Sequence, residues 1–201
     1  MTLVALATED ALSEAIGQRL LLELPVAVTP SPLLRKDGFG YLRSGMPKWR
    51  NLAKLQAVLI ITDLDRLNCP RKLIDDWLGS QPAPENLLLR VAVRAAESWV
   101  LADHDALRKL LGSKGKLPVA PDTLPDPKSH LLGLAKAASR SVREDLVQQT
   151  GSVASQGIGY NNRLTAWVHS EWSPERASQR SPSLQRARMR LRELLVSPSQ
   201  E

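Results

Sequence analysis

Cysteine occurs once in the chain, at Cys69, which excludes an internal disulfide framework and points to a reducing compartment. Phenylalanine also occurs once, tyrosine twice, and aromatics make up only 4% of the residues. The core therefore has to rest on Leu, Val, Ala and Ile, with tryptophan as the main large side chain. Trp77, Trp99 and Trp167 sit in apolar helical patterns and read as core, whereas Trp49 and Trp172 are flanked by polar residues. No apolar run approaches the roughly 20 residues that a membrane span requires. The first apolar segment has no basic residue ahead of it and is cut short by Glu9-Asp10, unlike a secretory signal. A cytoplasmic protein without membrane contact is the expectation. His104, His130 and His169 are scattered without ligand spacing, so none is assigned to a metal. There is no Walker A sequence, and any ATP hydrolysis would have to come from another chain.

What is present suits one full-sized domain, or one domain with a small appendage: 201 residues, of which 43% are hydrophobic. Residues 2–8 are a mostly apolar run that reads as a buried strand. Leu12, Ile16, Leu20 and Leu24 then recur at helical spacing. Residues 24–28 suggest a second short strand, and Pro30, Pro32 and the glycines from Gly38 to Gly45 suggest a loop, followed by a helix over 48–55. The strongest strand is 57–62 (AVLIIT), aliphatic without polar alternation, as expected when helices cover both faces. A helix follows Cys69-Pro70, with Leu73, Ile74, Trp77 and Leu78 inward. Another buried strand spans 87–93, and 95–111 reads as one helix or two closely joined ones. Cys69 is read as a buried cap rather than a nucleophile. Asp126-Pro127, Ser173-Pro174 and Ser181-Pro182 each place a capping side chain before a proline at the first helical position. The pattern predicts an α/β fold with a mainly parallel sheet flanked by helices. Residues 1–112 form its core, and 113–201 a mainly helical C-terminal extension packed on that core.

In a parallel α/β sheet, ligands bind beyond the carboxyl ends of the strands. Two of the expected strands end in acids, Glu9-Asp10 after the first and Asp63-Leu64-Asp65 after AVLIIT. If the strand stays extended, Asp63 and Asp65 point the same way and can share a cation. Hard carboxylate oxygens favour Mg²⁺ or Mn²⁺ over zinc. For each acid taken alone, a helix N-cap is the competing explanation.

The pairing of a strand ending in Glu9 with AVLIITDLDR resembles the Toprim (topoisomerase–primase) domain, whose motifs are a glutamate after the first strand and a later DxD. VLIITDLDRLNCP, LLLRVAVRAAESWVLAD and the later DPK and YN segments are similar to a family of small stand-alone bacterial Toprim-like proteins of unknown function. These in turn resemble the nuclease half of OLD-type (overcoming lysogenization defect) systems. Here Asp10 stands where a glycine usually follows the family's glutamate. The resemblance implies a Toprim-like fold in which Asp63 and Asp65 hold Mg²⁺ or Mn²⁺ and Glu9 is the general acid/base or a further ligand. It implies a metal-dependent nuclease acting on nucleic acid, working with an AAA-type or OLD-like ATPase partner in phage defence. The alternative is a non-catalytic, Toprim-shaped nucleic-acid-binding or adaptor subunit.

A second ion would need more carboxylates. Glu97 and Asp103 in RAAESWVLAD are the candidates, and Glu97, nearer the end of the strand, is preferred. Arg90 and Arg94 flank Glu97 and either pair with it or face substrate. Lys128 is the basic candidate for touching a phosphate or an anionic transition state, against a plain surface lysine at a capped helix start. Gly157-Ile158-Gly159-Tyr160-Asn161 is either a backbone nest for phosphate or a turn into a helix. The net charge of +6 is concentrated towards the end, where seven arginines from Arg163 to Arg192 stand against Glu171, Glu175 and Glu193. A polyanionic partner and a solvated helix face both explain that bias.

Overall fold

In the computed structural model, which describes residues 2–36, 40–147 and 156–196, four strands form one all-parallel sheet. In chain order these are β1 (Thr2–Thr8), β2 (Val28–Arg35), β3 (Ala57–Asp63) and β4 (Leu87–Ala92), arranged β2-β1-β3-β4. Helix α1 (Ala11–Leu22) joins β1 to β2. Helices α2 (Tyr41–Ser44) and α3 (Met46–Leu52) lead to β3, and α4 (Pro70–Leu78) leads to β4. Then come α5 (Ala96–Ala102), α6 (His104–Leu111), a 3₁₀ turn at Pro121–Thr123, α7 (Pro127–Ala135), α8 (Arg140–Leu146), α9 (Tyr160–Ser170), α10 (Pro174–Ser178) and α11 (Pro182–Val196). The fold is α/β with a parallel sheet flanked by helices, as the strand and helix patterns predict. No helix among the described residues is long and apolar enough to cross a membrane.

Side-chain alternation along the strands divides the core in two. Val4 and Leu6 of β1, Leu59 and Ile61 of β3, and Leu88 and Ala92 of β4 face α1, α5 and the C-terminal helices. Ala5, Ala7, Val58, Ile60, Leu87, Leu89 and Val91 face Leu42, Met46, Trp49 and Leu73 on α2, α3 and α4. The chain thus leaves β1 over one face to reach β2, then crosses back over the other face to β3 and on to β4. That reversal puts a topological switch point between β1 and β3, where the carboxyl ends of the two strands diverge.

Several elements depart from their sequence expectation for physical reasons. The second strand begins where the short 24–28 strand was expected to end, and it runs through Pro30 and Pro32. Proline lacks an N–H, but β2 is an edge strand with an unpaired side that tolerates the loss. Of the glycine loop, Gly38 lies outside the described residues. The helix expected over 48–55 is α3, starting and ending earlier. Asp103 breaks the 95–111 helix into α5 and α6, capping the second by accepting from Ala106 N–H. Cys69 is exposed rather than buried. Trp49 and Trp172 are fully buried, their indole N–H groups satisfied by the carbonyls of Leu42 (2.9 Å) and Trp99 (3.1 Å).

Helix α1 lies close on the sheet because Gly17 has no side chain. A Cβ there would stand 2.7 Å from Leu6 Cδ1 and 3.1 Å from Ile61 Cδ1, and both neighbours are fully buried. Gly17→Ala gains about 1 kcal/mol of helix propensity but incurs an overpacking cost of about 1–3 kcal/mol. A net loss of about 1 kcal/mol in urea unfolding at unchanged m-value is expected; a gain would show that α1 can lift from the sheet.

Candidate functional site

The carboxyl ends of β1 and β3 bring Glu9, Asp10 and Asp63 to the switch point. Asp10 caps α1, its carboxylate accepting from Ser13 N–H at 2.7 Å. Glu9 Oε1 accepts a 3.1 Å bond from the Thr62 hydroxyl, tying the end of β1 to the end of β3. Asp63 is the last residue of β3, and its Oδ1 accepts from Ala96 N–H at 2.9 Å, at the start of α5. Glu97, on the first turn of α5, is buried beneath α9, where the Tyr160 hydroxyl donates to its Oε1 at 2.8 Å. Lys128, near the start of α7, lies with Nζ 5.0 Å from the centre of the Tyr160 ring. Glu9, Asp63, Glu97, Tyr160 and Lys128 therefore form a connected neighbourhood drawn from five elements or their ends.

Asp65 sits differently. The strand does not stay extended past Asp63: Leu64 N–H bonds to the Ala92 carbonyl and Asp65 turns into the left-handed region at φ 50°. Arg94, just past β4, is also left-handed at φ 65°. The two turns lock together, with Asp65 N–H donating to the Arg94 carbonyl and Arg94 Nη1 donating to the carbonyls of Asp65 and Leu67. Positive φ at two non-glycine residues beside one crevice is strain of the sort that collects at functional sites. Asp65 is exposed, and its charge still acts on Glu9 and Asp63.

The electrostatics are those of crowded, part-buried acids. Burial pushes the Asp63 carboxyl well above its usual range, and the charges of Glu97, Asp10 and Asp65 add to this against the opposing Ala96 N–H. Burial raises Glu97 as well, partly offset by the Tyr160 bond, by its own backbone N–H and by Lys128. Burial also raises Glu9, with the Thr62 bond opposing and Asp65 and Asp10 reinforcing. Tyr160, buried and beside Glu97, is held far above its ordinary value and stays a phenol donor at neutral pH. Such groups pay a desolvation cost that a nearby cation would offset.

Asp63 and Glu9 each engage one oxygen, and among the described residues no donor takes the other, whereas Glu97 accepts from Tyr160 and from its own backbone N–H. Hard, anionic oxygens of this kind suit Mg²⁺ or Mn²⁺. Among the described residues no three His, Cys, Asp or Glu side chains stand together as a ready-made ion cage. Mg²⁺ keeps several waters and is commonly held by one or two carboxylates together with substrate phosphates, so the donor chemistry fits without such a cage.

The other expected residues resolve clearly. Asp103 is fully buried and bound by Arg176 and by Ser173 N–H, so it is engaged away from the acids. Arg94 is taken up by the turn at Asp65, and Arg90 stands with Arg186 and Arg190 rather than with Glu97. The Gly157–Asn161 segment is a turn into α9: Gly157, Tyr160 and Arg163 N–H groups are spent on the carbonyls of Leu146, Gly157 and Gly159. Its glycines allow close approach to Asp145. Of the seven C-terminal arginines, Arg163, Arg176, Arg188 and Arg190 pair with Asp145, Asp103, Glu23 and Glu193. Tyr160 as the partner of Glu97 was not legible in the sequence; its only signal was that a tyrosine opened a helix beside a glycine turn. A cavity of about 440 Å³ adjoins Asp10 between α1, α9 and the end of β2, lined in part by Glu14, Arg35, Asn161, Asn162 and Thr165. No family model, curated protein or solved structure matches the chain.

Proposed function

We propose that the chain is a Mg²⁺- or Mn²⁺-dependent nuclease, or a related phosphoryl-transfer protein, acting on nucleic acid. The observation that carries this reading is the set of part-buried carboxyls at the β1/β3 switch point, all with raised pKa values, of which Asp63 and Glu9 each keep one oxygen without a described donor. The Toprim resemblance supports it, since the glutamate after a first strand and the DxD after a later one correspond to Glu9 and to Asp63 and Asp65. In this reading Asp63 is the first ligand, joined by Asp65, Glu9 or Glu97. A bound divalent ion would neutralise charge developing on the phosphoryl oxygens. Glu9, whose carboxyl burial raises above the usual range, is the candidate to hold or accept a proton. Lys128 supplies positive charge for an anionic transition state from its seat on Tyr160. The resemblance further assigns the ATP-consuming role to a partner ATPase in phage defence.

The test is cleavage of single- and double-stranded DNA and RNA in Mg²⁺ or Mn²⁺. Asp63→Ala and Asp65→Ala are each expected to lower the rate at least about 100-fold with the circular dichroism spectrum unchanged. Cleavage that persists at the wild-type rate in both variants overturns the reading. Nucleic-acid binding without cleavage in the wild type, with or without an ATPase, favours the adaptor role.

A further inference from the structure

Away from the acids, at the outer edge of β4, guanidinium groups from two distant parts of the chain converge. Arg90 lies within β4, and the strand alternation that sends Leu88 and Ala92 to the α1 and α5 side sends Arg90 there too. Helix α11 packs on β4 and presents Arg186 and Arg190, four residues apart and so on one face. Arg90 and Arg186 line the same small cavity of about 50 Å³, together with Pro70 and Ile74 of α4 and Ser183 of α11. The Arg90 Nε donates to its neighbouring Leu89 carbonyl at 2.6 Å. Arg190 pairs with Glu193 at 2.7 Å, and Arg186 has no ion pair among the described residues.

Holding the Arg90 and Arg186 guanidinium groups at one notch, with the charge of Arg190 near by, is unfavourable unless an anion joins them, because like charges repel and a half-buried cation loses hydration. Burial, with the charges of Arg190 and Arg186, lowers the Arg90 guanidinium to about 10 against the opposing pull of Glu193. Arg188, Arg176 and Arg190 are each given a carboxylate partner, whereas Arg90 and Arg186 have none among the described residues. The lining combines these cationic groups and Ser183 with the apolar Pro70, Ile74, Val91 and Val93 in a cavity of about 50 Å³, a size for a compact anion.

We infer that the notch between β4, α4 and α11 is a phosphate-binding site in which Arg90 and Arg186 hold the phosphate oxygens and Arg190 adds charge near by. Guanidinium forks match phosphate geometry and keep their charge when partly buried. Arg90 pairs with Ile61 and Ala92 pairs with Asp63, which sets the arginine about 7 Å down the sheet from the level of Asp63. An extended polyanion crossing the strand ends can therefore touch both. The site does not depend on the proposed cleavage chemistry.

The experiment measures binding of a fluorescent single-stranded DNA 12-mer in EDTA across a salt series, with a parallel thermal-shift titration using inorganic phosphate. Arg186→Gln, on an exposed residue, and Arg90→Gln are each expected to weaken oligonucleotide binding about three- to tenfold at low salt. Each should also reduce the slope of log K against log salt by about one. Arg143→Gln, on exposed α8 surface, should change neither. If phosphate raises the melting temperature of the wild type but not of Arg186→Gln, while oligonucleotide binding is unaffected, the site takes free phosphate rather than a backbone. Wild-type behaviour of Arg186→Gln with both probes, or an equal loss in Arg143→Gln, overturns the inference. Arg186→Gln decides the matter even if Arg90→Gln fails to fold. Cleavage is not read, so a chain that cuts nothing would still reveal the site.

Discussion

Asp63→Asn is expected to make the metal-free protein more stable at neutral pH while removing the proposed metal-dependent cleavage. The amide keeps an oxygen for the Ala96 N–H and removes a charge that burial, Glu97, Asp10 and Asp65 all disfavour. The sign follows from proton linkage. In the folded state the Asp63 carboxyl holds its proton to a higher pH than in the unfolded chain. Its stabilising contribution is therefore complete below the unfolded value of about 4 and is lost as pH rises through the folded value. Asparagine carries no such proton, so the variant should lose less stability between pH 5 and pH 8. Glu9 and Glu97, also raised, leave a residual slope. A gain of about 1 kcal/mol at pH 8 in EDTA is the usual scale for relieving strain at a functional site. Urea unfolding at the two pH values measures it. In the same experiment Mn²⁺ should stabilise the wild type more than the variant, since a ligand of the folded state stabilises by mass action. A variant destabilised equally at both pH values would show Asp63 to be a structural acceptor for α5 and nothing more.

The parts of this arrangement that were readable from sequence are those fixed by local chemistry. AVLIIT is a strand because a continuous β-branched and aliphatic run can be buried on both faces. Asp126, Ser173 and Ser181 cap helices because a short acceptor side chain before a proline satisfies an early N–H. What was not readable depends on partners far along the chain. Two prolines argue against a strand until β2 is seen to be an edge. The polar neighbours of Trp49 and Trp172 hide the carbonyls that accept from their indoles. The arginine-rich end looked like a uniform basic face, yet Arg188 is almost buried against Glu23 across 165 residues. At the candidate site, the placing of Glu9 and Asp63 at strand ends followed from pattern. The left-handed turn at Asp65 and the Tyr160–Glu97 bond did not, because each is set by a segment that comes later in the chain.

Asp103 supplies the opposite case to Asp63, and Asp103→Ala should be among the most destabilising single substitutions in the chain. Its side chain is fully buried, and four donors converge on it. Oδ1 accepts from Ala106 N–H at 3.3 Å and from Arg176 Nε at 2.9 Å; Oδ2 accepts from Ser173 N–H and Arg176 Nη2, both at 2.8 Å. One carboxylate thus ends α5, caps α6 and anchors the start of α10. Breaking a buried ion pair from one side typically costs about 3–5 kcal/mol. The Arg176 side chain is 39% exposed and can recover some hydration, which places the expected loss near the lower end, about 3 kcal/mol. For a chain of this size that is roughly 6–12 °C in melting temperature. Below its melting range the variant should match the wild type in the proposed metal response and oligonucleotide binding, since Asp103 is already engaged by four donors and has no oxygen left for an ion. Loss of the proposed cleavage with an unchanged melting temperature would instead place Asp103 with Glu97 among the proposed metal ligands. The two carboxylates, six residues apart in sequence, are separated by what surrounds them: Asp103 has a guanidinium and two backbone donors, while Glu97 has one phenol, its own backbone N–H and a more distant lysine.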